Sequence, residues 1–186
     1  MPTLLTPTAR VGLLAALTLL GAAACSTEIN TPVAGDDIQS MAADYVVFGM
    51  LSYITTEGVR AGRVQADTAY IFEETSSADL HQMQIVFYDE DGNESATVTG
   101  TEGEWSTESD RMVARGNVLL LIHADSSTIE SPEIHYDPGV DRIWSDSATV
   151  RTMADGSVVS GTAFESDIAF ENLRIQNMRG GTRRIF

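Results

Sequence analysis

Met112-Val-Ala-Arg115-Gly116-Asn117-Val118-Leu-Leu-Leu-Ile122-His-Ala-Asp125-Ser-Ser-Thr-Ile129-Glu-Ser131-Pro132-Glu-Ile134-His-Tyr136-Asp137 decides the fold. Val118 to Ile122 is apolar at every position, so a strand there buries both faces. Asp125-Ser126-Ser127 is turn chemistry. The arm after the turn puts Ile129 and Ser131 on one face of a strand, then Ile134 and Tyr136 on the other. The parity changes at Pro132. One extra residue, as in a β-bulge, returns all four side chains to a common face.

The same change of parity recurs. Val64-Gln-Ala66-Asp-Thr-Ala69-Tyr-Ile71 carries it, as do Val98-Thr-Gly100-Thr-Glu-Gly103-Glu-Trp105 and Ile129 to Tyr136. Ile143-Trp-Ser145-Asp-Ser-Ala148-Thr-Val150 and Val159-Ser-Gly161-Thr-Ala-Phe164-Glu-Ser166 follow, the last imperfectly. Each places a β-branched residue, then a small residue two later, then apolar or small residues at offsets five and usually seven. The small residue stands where a sheet corner or a close backbone contact needs it. Five copies in one chain argue against chance alternation of Ser, Thr, Ala and Gly.

Strands are predicted over Tyr45–Thr56, Arg60–Glu74, His81–Tyr88, Glu94–Trp105, Met112–Ile122, Thr128–Tyr136, Arg142–Met153, Ser157–Phe164 and Ile168–Gln176. Asp91-Gly92, Pro138-Gly139 and Asp155-Gly156 are the turns between them, and Thr75–Ala78 is expected as a loop. Short strands at even spacing, with no long amphipathic helix after Tyr45, predict an all-β domain. The acidic run Asp89 to Glu94 reads as a hairpin, because a calcium loop with Gly92 at its sixth position would start on Phe87, which cannot coordinate.

The chain has 186 residues, 11 basic residues that are all Arg, and a net charge of −16. That length suits one domain with a sizeable core. That charge argues against nucleic acid as a partner and against a basic patch for anionic membranes. The single Cys excludes an internal disulfide framework. His81, His123 and His135 show no zinc-ligand spacing, and no nucleophile elbow or phosphate-binding glycine loop occurs. The expectation is a non-enzyme with no metal and no cofactor.

The N-terminus reads as a targeting segment. Arg10 precedes the apolar run Val11 to Leu20, and Gly21-Ala22-Ala23-Ala24 gives a small-residue cleavage context before Cys25. The apolar stretch ends at Ala24, short of the ~20 residues a spanning helix needs. Cys25 resembles the acylated Cys of a bacterial lipobox, although Ala22 stands where Leu is usual. An ordinary signal peptide or a short uncleaved anchor are the other readings. The expected layout is a signal over 1–24, a tether over 25–42, a β domain over 43–177 and a flexible basic tail over 178–186.

Ala43-Asp44-Tyr45, Gly49, Thr55-Thr56-Glu57-Gly58-Val59-Arg60 and Val64-Gln65-Ala66-Asp67-Thr68-Ala69 together resemble the start of the lipopolysaccharide-export LptC family. Arg115-Gly116-Asn117-Val118 followed by Ile129 to Asp137 is similar to the repeat shared by LptC and the related LptA and OstA-type domains. The resemblance spans roughly Ala43 to Asn177. It implies an incomplete β-jellyroll of two facing antiparallel sheets, open at both ends, with lipopolysaccharide acyl chains between them. It also implies a periplasmic domain anchored at the inner membrane. Such a domain takes lipid from an ABC transporter and passes it to an LptA-like jellyroll by edge-strand pairing. Many members carry an uncleaved N-terminal transmembrane helix, from which the apparent lipobox departs.

Each acyl CH₂ buried gains ~0.8 kcal/mol, so a ten-carbon stretch gains roughly 8 kcal/mol. A relay therefore calls for a shallow slot between layers that stay slightly parted. The candidate lining is Ala66, Ile71, Ile85, Phe87, Val98, Trp105, Val118, Leu120, Ile122, Ile134, Tyr136, Ile143, Val150 and Phe164. The same residues would serve plain core packing in a structural or adhesive β-lipoprotein with a filled core. An LptA-like bridge subunit is the other alternative.

Overall fold

The structure, a computed structural model, describes residues 43–56 and 58–181. The expected signal, Cys25, nearly all of the tether and the last five residues lie outside the described residues. Among the described residues there are twelve strands: β1 Tyr45–Thr56, β2 Val59–Phe72, β3 Ser77–Tyr88, β4 Glu94–Ser106, β5 Met112–Ile122, β6 Ser127–Asp137, β7 Arg142–Ser145, β8 Thr149–Thr152, β9 Val158–Gly161, β10 Ala163–Ser166, β11 Arg174–Gln176 and β12 Arg179–Gly181. All pairs are antiparallel.

The strands form a meander from β1 to β6, after which the sheet forks. The end of β6 pairs with β7, then β10 and β11; its start pairs with β8, then β9 and β12. In sequence, β7 and β8 are successive short strands on the two branches of the sheet. So are β9 and β10, and β11 and β12. The longer strands bend. The ladder skips Gly49 opposite Asp67, Asp67 opposite Gln82, and Gln82 opposite Thr101. It then skips Gly116 and Asn117 opposite Pro132. These skips line up into a crease that crosses the whole sheet and divides it into two layers.

Local chemistry sets the crease. Pro132 has no N–H for the ladder. Gly49, Gln82, Gly116, Asn117 and Asn177 have left-handed backbone, with φ of 62, 51, 74, 50 and 50°. At the crease most strands change parity, so both halves turn their apolar side inward. Val64 and Ala66 are buried before Asp67, and Ala69 after it. Ile129 and Ser131 are buried before Pro132, and Ile134 and Tyr136 after it. The inner faces of both layers contribute to one apolar cluster.

Four expectations are corrected. Strand β3 begins at Ser77 rather than His81, because it has its own parity change: Ala78 and Leu80 are buried before Gln82, Met83 and Ile85 after it. Arg142–Met153 is not one strand, since Asp146–Ala148 is a bend between β7 and β8. In that bend the Ser147 N–H donates to Ser145 Oγ at 3.1 Å, and Thr149 Oγ1 donates to the Ser147 carbonyl at 3.0 Å. Ile168–Gln176 shrinks to β11, because residues 168–173 form a loop. The tail is strand from Arg179 to Gly181, paired with Val158 to Ser160.

The Asp89–Asn93 turn is a hairpin. Asn93 N–H donates to Asp89 Oδ1 at 2.8 Å, Asn93 Nδ2 donates to Oδ2 at 3.2 Å, and Gly92 has φ 83°. Those donors hold the Asp89 carboxyl below the usual carboxylate range, the Asn93 backbone N–H most of all.

Candidate lipid-binding interior

Thirteen of the expected lining residues face the interior. Ala66, Ile85, Phe87, Val98, Trp105, Val118, Leu120, Ile122, Ile134, Tyr136, Ile143 and Phe164 belong to one buried cluster, and Ile71 packs against it. Val150 does not join them. It is 37% exposed and pairs with Glu130 and Ser160 on the outer side. The bend before it spaces Ser145 and Thr149 four residues apart, so parity is kept, and Thr149 is buried instead. The parity rule for the other strands also points to Val64, Ala69, Ala78, Leu80, Met83, Met112, Ala114 and Ile129, all of them buried in the same cluster.

The layers are not parted. Phe87, on the outer end of its layer, meets Tyr136 of the opposite layer with ring centroids 5.0 Å apart. Phe170, from the loop before β11, adds an edge contact to Phe87 at 6.3 Å. These rings close the seam opposite the crease. Burial, then the nearby Asp110, Asp137 and Asp141, pushes the Tyr136 hydroxyl up to about 12. Leu120, Ile129 and Val64 are fully buried without any ligand. The expected slot is therefore shut by its own side chains, many of them as small as Ala66, Ala78, Ala96 and Ala114.

Open space lies elsewhere. A furrow of about 720 Å³ follows the crease past Gly49, Asp67, Gln82, Thr101 and Asn117, reaching Met50, Ala66 and Met83. At the C-terminal edge, a cavity of about 300 Å³ takes residues from both layers, including Arg151, Met153, Val159, Leu173 and Ile175. Arg151 lies directly opposite Ile129 and Val159, so it faces inward. Its Nη2 donates to Asp125 Oδ2 at 2.5 Å and to Ser127 Oγ at 3.1 Å. Burial alone would raise the Asp125 carboxyl, but Ser127 and Arg151 outweigh it and hold that carboxyl below the ordinary range.

The outer face carries a set of ion pairs. Arg115 reaches Glu104 at 2.7 Å and Glu133 at 2.6 Å. Glu133 also holds His135 Nε2 at 2.6 Å, and the His135 ring stacks on Trp144 at 5.0 Å under Arg142. The histidines are thus strand and turn residues with local partners: His81 packs edge-on to Tyr70, and His123 Nε2 lies 3.0 Å from Thr97 Oγ1. No helix among the described residues is long and apolar enough to cross a membrane.

A single antiparallel sheet, creased so that two layers enclose an apolar interior while the sheet edges stay open, defines an incomplete β-jellyroll. A solved relative shares this architecture: LptH of Pseudomonas aeruginosa, described as the LptA-homologous periplasmic component of the lipopolysaccharide transport device. It superposes with a TM-score of 0.51 at 12% identity, over 66% of this chain and 95% of that one. The family model for lipopolysaccharide-assembly, LptC-related proteins matches residues 11–181, and the chain belongs to that family. The family is one of lipopolysaccharide-assembly proteins. No curated protein matches the sequence.

Proposed function

We propose that the chain is a non-enzymatic lipid relay. It accepts lipopolysaccharide from an inner-membrane ABC transporter and passes it to the next periplasmic jellyroll. The supporting observation is the apolar interior, which is built from both layers and runs across the sheet between unpaired edges. At one edge, β1 leaves Tyr45, Val47, Phe48, Leu51 and Tyr53 exposed along its length. At the other, β11 and β12 each lack a second neighbour among the described residues. Unpaired edges invite strand addition from another jellyroll. Cys25 would carry the lipid that holds the domain at the membrane; two or more chains are needed for stable anchoring. Mass spectrometry of the mature N-terminus reads that modification directly.

Because the layers meet, lipid must part them. The same closure supports a second reading, a structural β-lipoprotein with a filled core. Photo-crosslinkers at Leu120 and Phe164 separate the two. A relay gives lipopolysaccharide adducts that depend on the active transporter. A filled core gives none at either position.

A further inference from the structure

Among the described inward positions of both layers, Arg151 is the one that carries charge. The other inner residues of β8 and its neighbours are Thr149, Ile129, Ser127 and Val159. A partly buried guanidinium is costly unless polar and anionic groups meet it. Asp125 does so only in part. It binds Nη2, while Nε and Nη2 both donate to Ser127 Oγ, at 3.2 and 3.1 Å. Nη1 has no partner among the described residues, and it is not a buried orphan either. Arg151 lines the cavity of about 300 Å³ at this edge.

That cavity has the chemistry of an amphiphile site. Met153, Val159, Leu173, Ile175 and Met178 provide apolar wall, and Arg174 stands at the rim. A planar guanidinium with a free N–H pairs best with phosphate or carboxylate oxygens. The net charge of −16 repels anions from the molecule as a whole, so an anionic headgroup needs a local cation to settle anywhere. At the β1 end the inward positions Tyr45, Val47, Met50, Ser52 and Ile54 hold no charge.

We propose that Arg151 and the cavity it lines form a phosphate subsite at the C-terminal mouth of the interior, holding the phosphorylated headgroup of a lipid whose chains lie against the apolar wall. The inference rests on the relay reading and adds to it a direction. The headgroup waits at the β11–β12 edge, and the chains point back toward β1.

The test uses the purified full chain loaded with a fluorescent fatty-acyl probe. The probe is displaced by the acylated sugar anchor of lipopolysaccharide, either with its phosphates or enzymatically stripped of them. Wild type should prefer the phosphorylated form by about tenfold, the size of one charge-assisted hydrogen bond. Arg151→Gln should erase the preference and keep the acyl probe bound. Asp125→Asn, which frees the guanidinium from its carboxylate, should enlarge the preference. That second variant decides the matter if Arg151→Gln fails to fold. Equal displacement by both lipids in wild type, or an unchanged preference in Asp125→Asn, overturns the subsite and leaves the relay standing. Failure of wild type to bind the acyl probe overturns both.

Discussion

Gly116 shows how narrowly a single position is set. Its φ is 74°, and a Cβ there would collide with Thr101 Oγ1, whose hydroxyl donates to the Gly116 carbonyl at 3.0 Å. Gly116→Ala should cost about 2 kcal/mol in chemical denaturation, from strained backbone and the displaced hydroxyl. Thr101→Ala in the same chain should return part of that loss. On the outer face, the hydrogen bond from Arg115 holds the Glu133 carboxyl below its ordinary value, against burial, with His135 adding to it. A depressed folded pKa gives stability above the unfolded carboxylate range that is lost as pH falls through the folded value. Thermal melts from pH 7 down to pH 3 should therefore show a shallower acid limb in Glu133→Gln than in wild type. An equally steep limb would remove Glu133 from the cause. Most interior residues were legible one at a time, since parity alone assigns Val64, Ala66, Ile134 and Tyr136 to one side. Val150 was not. Its side depends on how many residues the Ser145–Thr149 bend holds, and two hydroxyl hydrogen bonds settle that count.

At the scale of elements, the sequence misleads most at residues 168–173. Ile168, Phe170 and Leu173 read as strand residues, yet Asp167 gathers the segment into a loop. Its Oδ1 accepts from the Glu171 and Asn172 N–H groups at 2.8 and 3.3 Å, and its Oδ2 accepts from Asn172 Nδ2 at 2.6 Å. Asp141 Oδ1 accepts from the Ile168 N–H at 3.1 Å and ties the loop to the turn before β7. Side-chain hydrogen bonds to nearby backbone compete with the ladder, and here they win. The loop can then set Phe170 against Phe87 across the seam. Phe170→Ala should cost about 1 to 2 kcal/mol, less than a fully buried Phe, because the ring is only half-buried. Hydrogen exchange should quicken at residues 168–173 and at Phe87, while β5 stays protected. Loading of an acyl probe should also become faster. Unchanged loading with faster exchange would mean that the loop does not gate the seam.

For the whole molecule, the all-β class and the creased strands were readable from spacing and from the repeat around Pro132, and the family from the resemblance of the Ala43–Ala69 and Arg115–Asp137 motifs. The closed interior was not, because whether two layers touch depends on summed side-chain volume and not on pattern. Closure then dictates how lipid gets in. The layers share backbone at the crease and only side-chain contacts at the Phe87–Tyr136 seam. Interrupted ladder pairing makes the crease the softer line, so parting should be a rotation about it. Spin labels can tell rotation from uniform spreading, in a Cys25→Ser background that removes the single native Cys. Asp79→Cys and Leu121→Cys sit on the outer sides of opposite layers, away from the crease. Glu102→Cys and Leu119→Cys sit beside it. An acyl chain adds about one van der Waals layer, on the order of 4 Å, between the sheets. With lipid, the first pair should lengthen by about that much and broaden, while the second should stay near its lipid-free distance. Equal lengthening of both pairs would make the crease a spacer and not a hinge. No change in either, under conditions where lipid is bound, would mean that the chains pass along the edge without parting the layers.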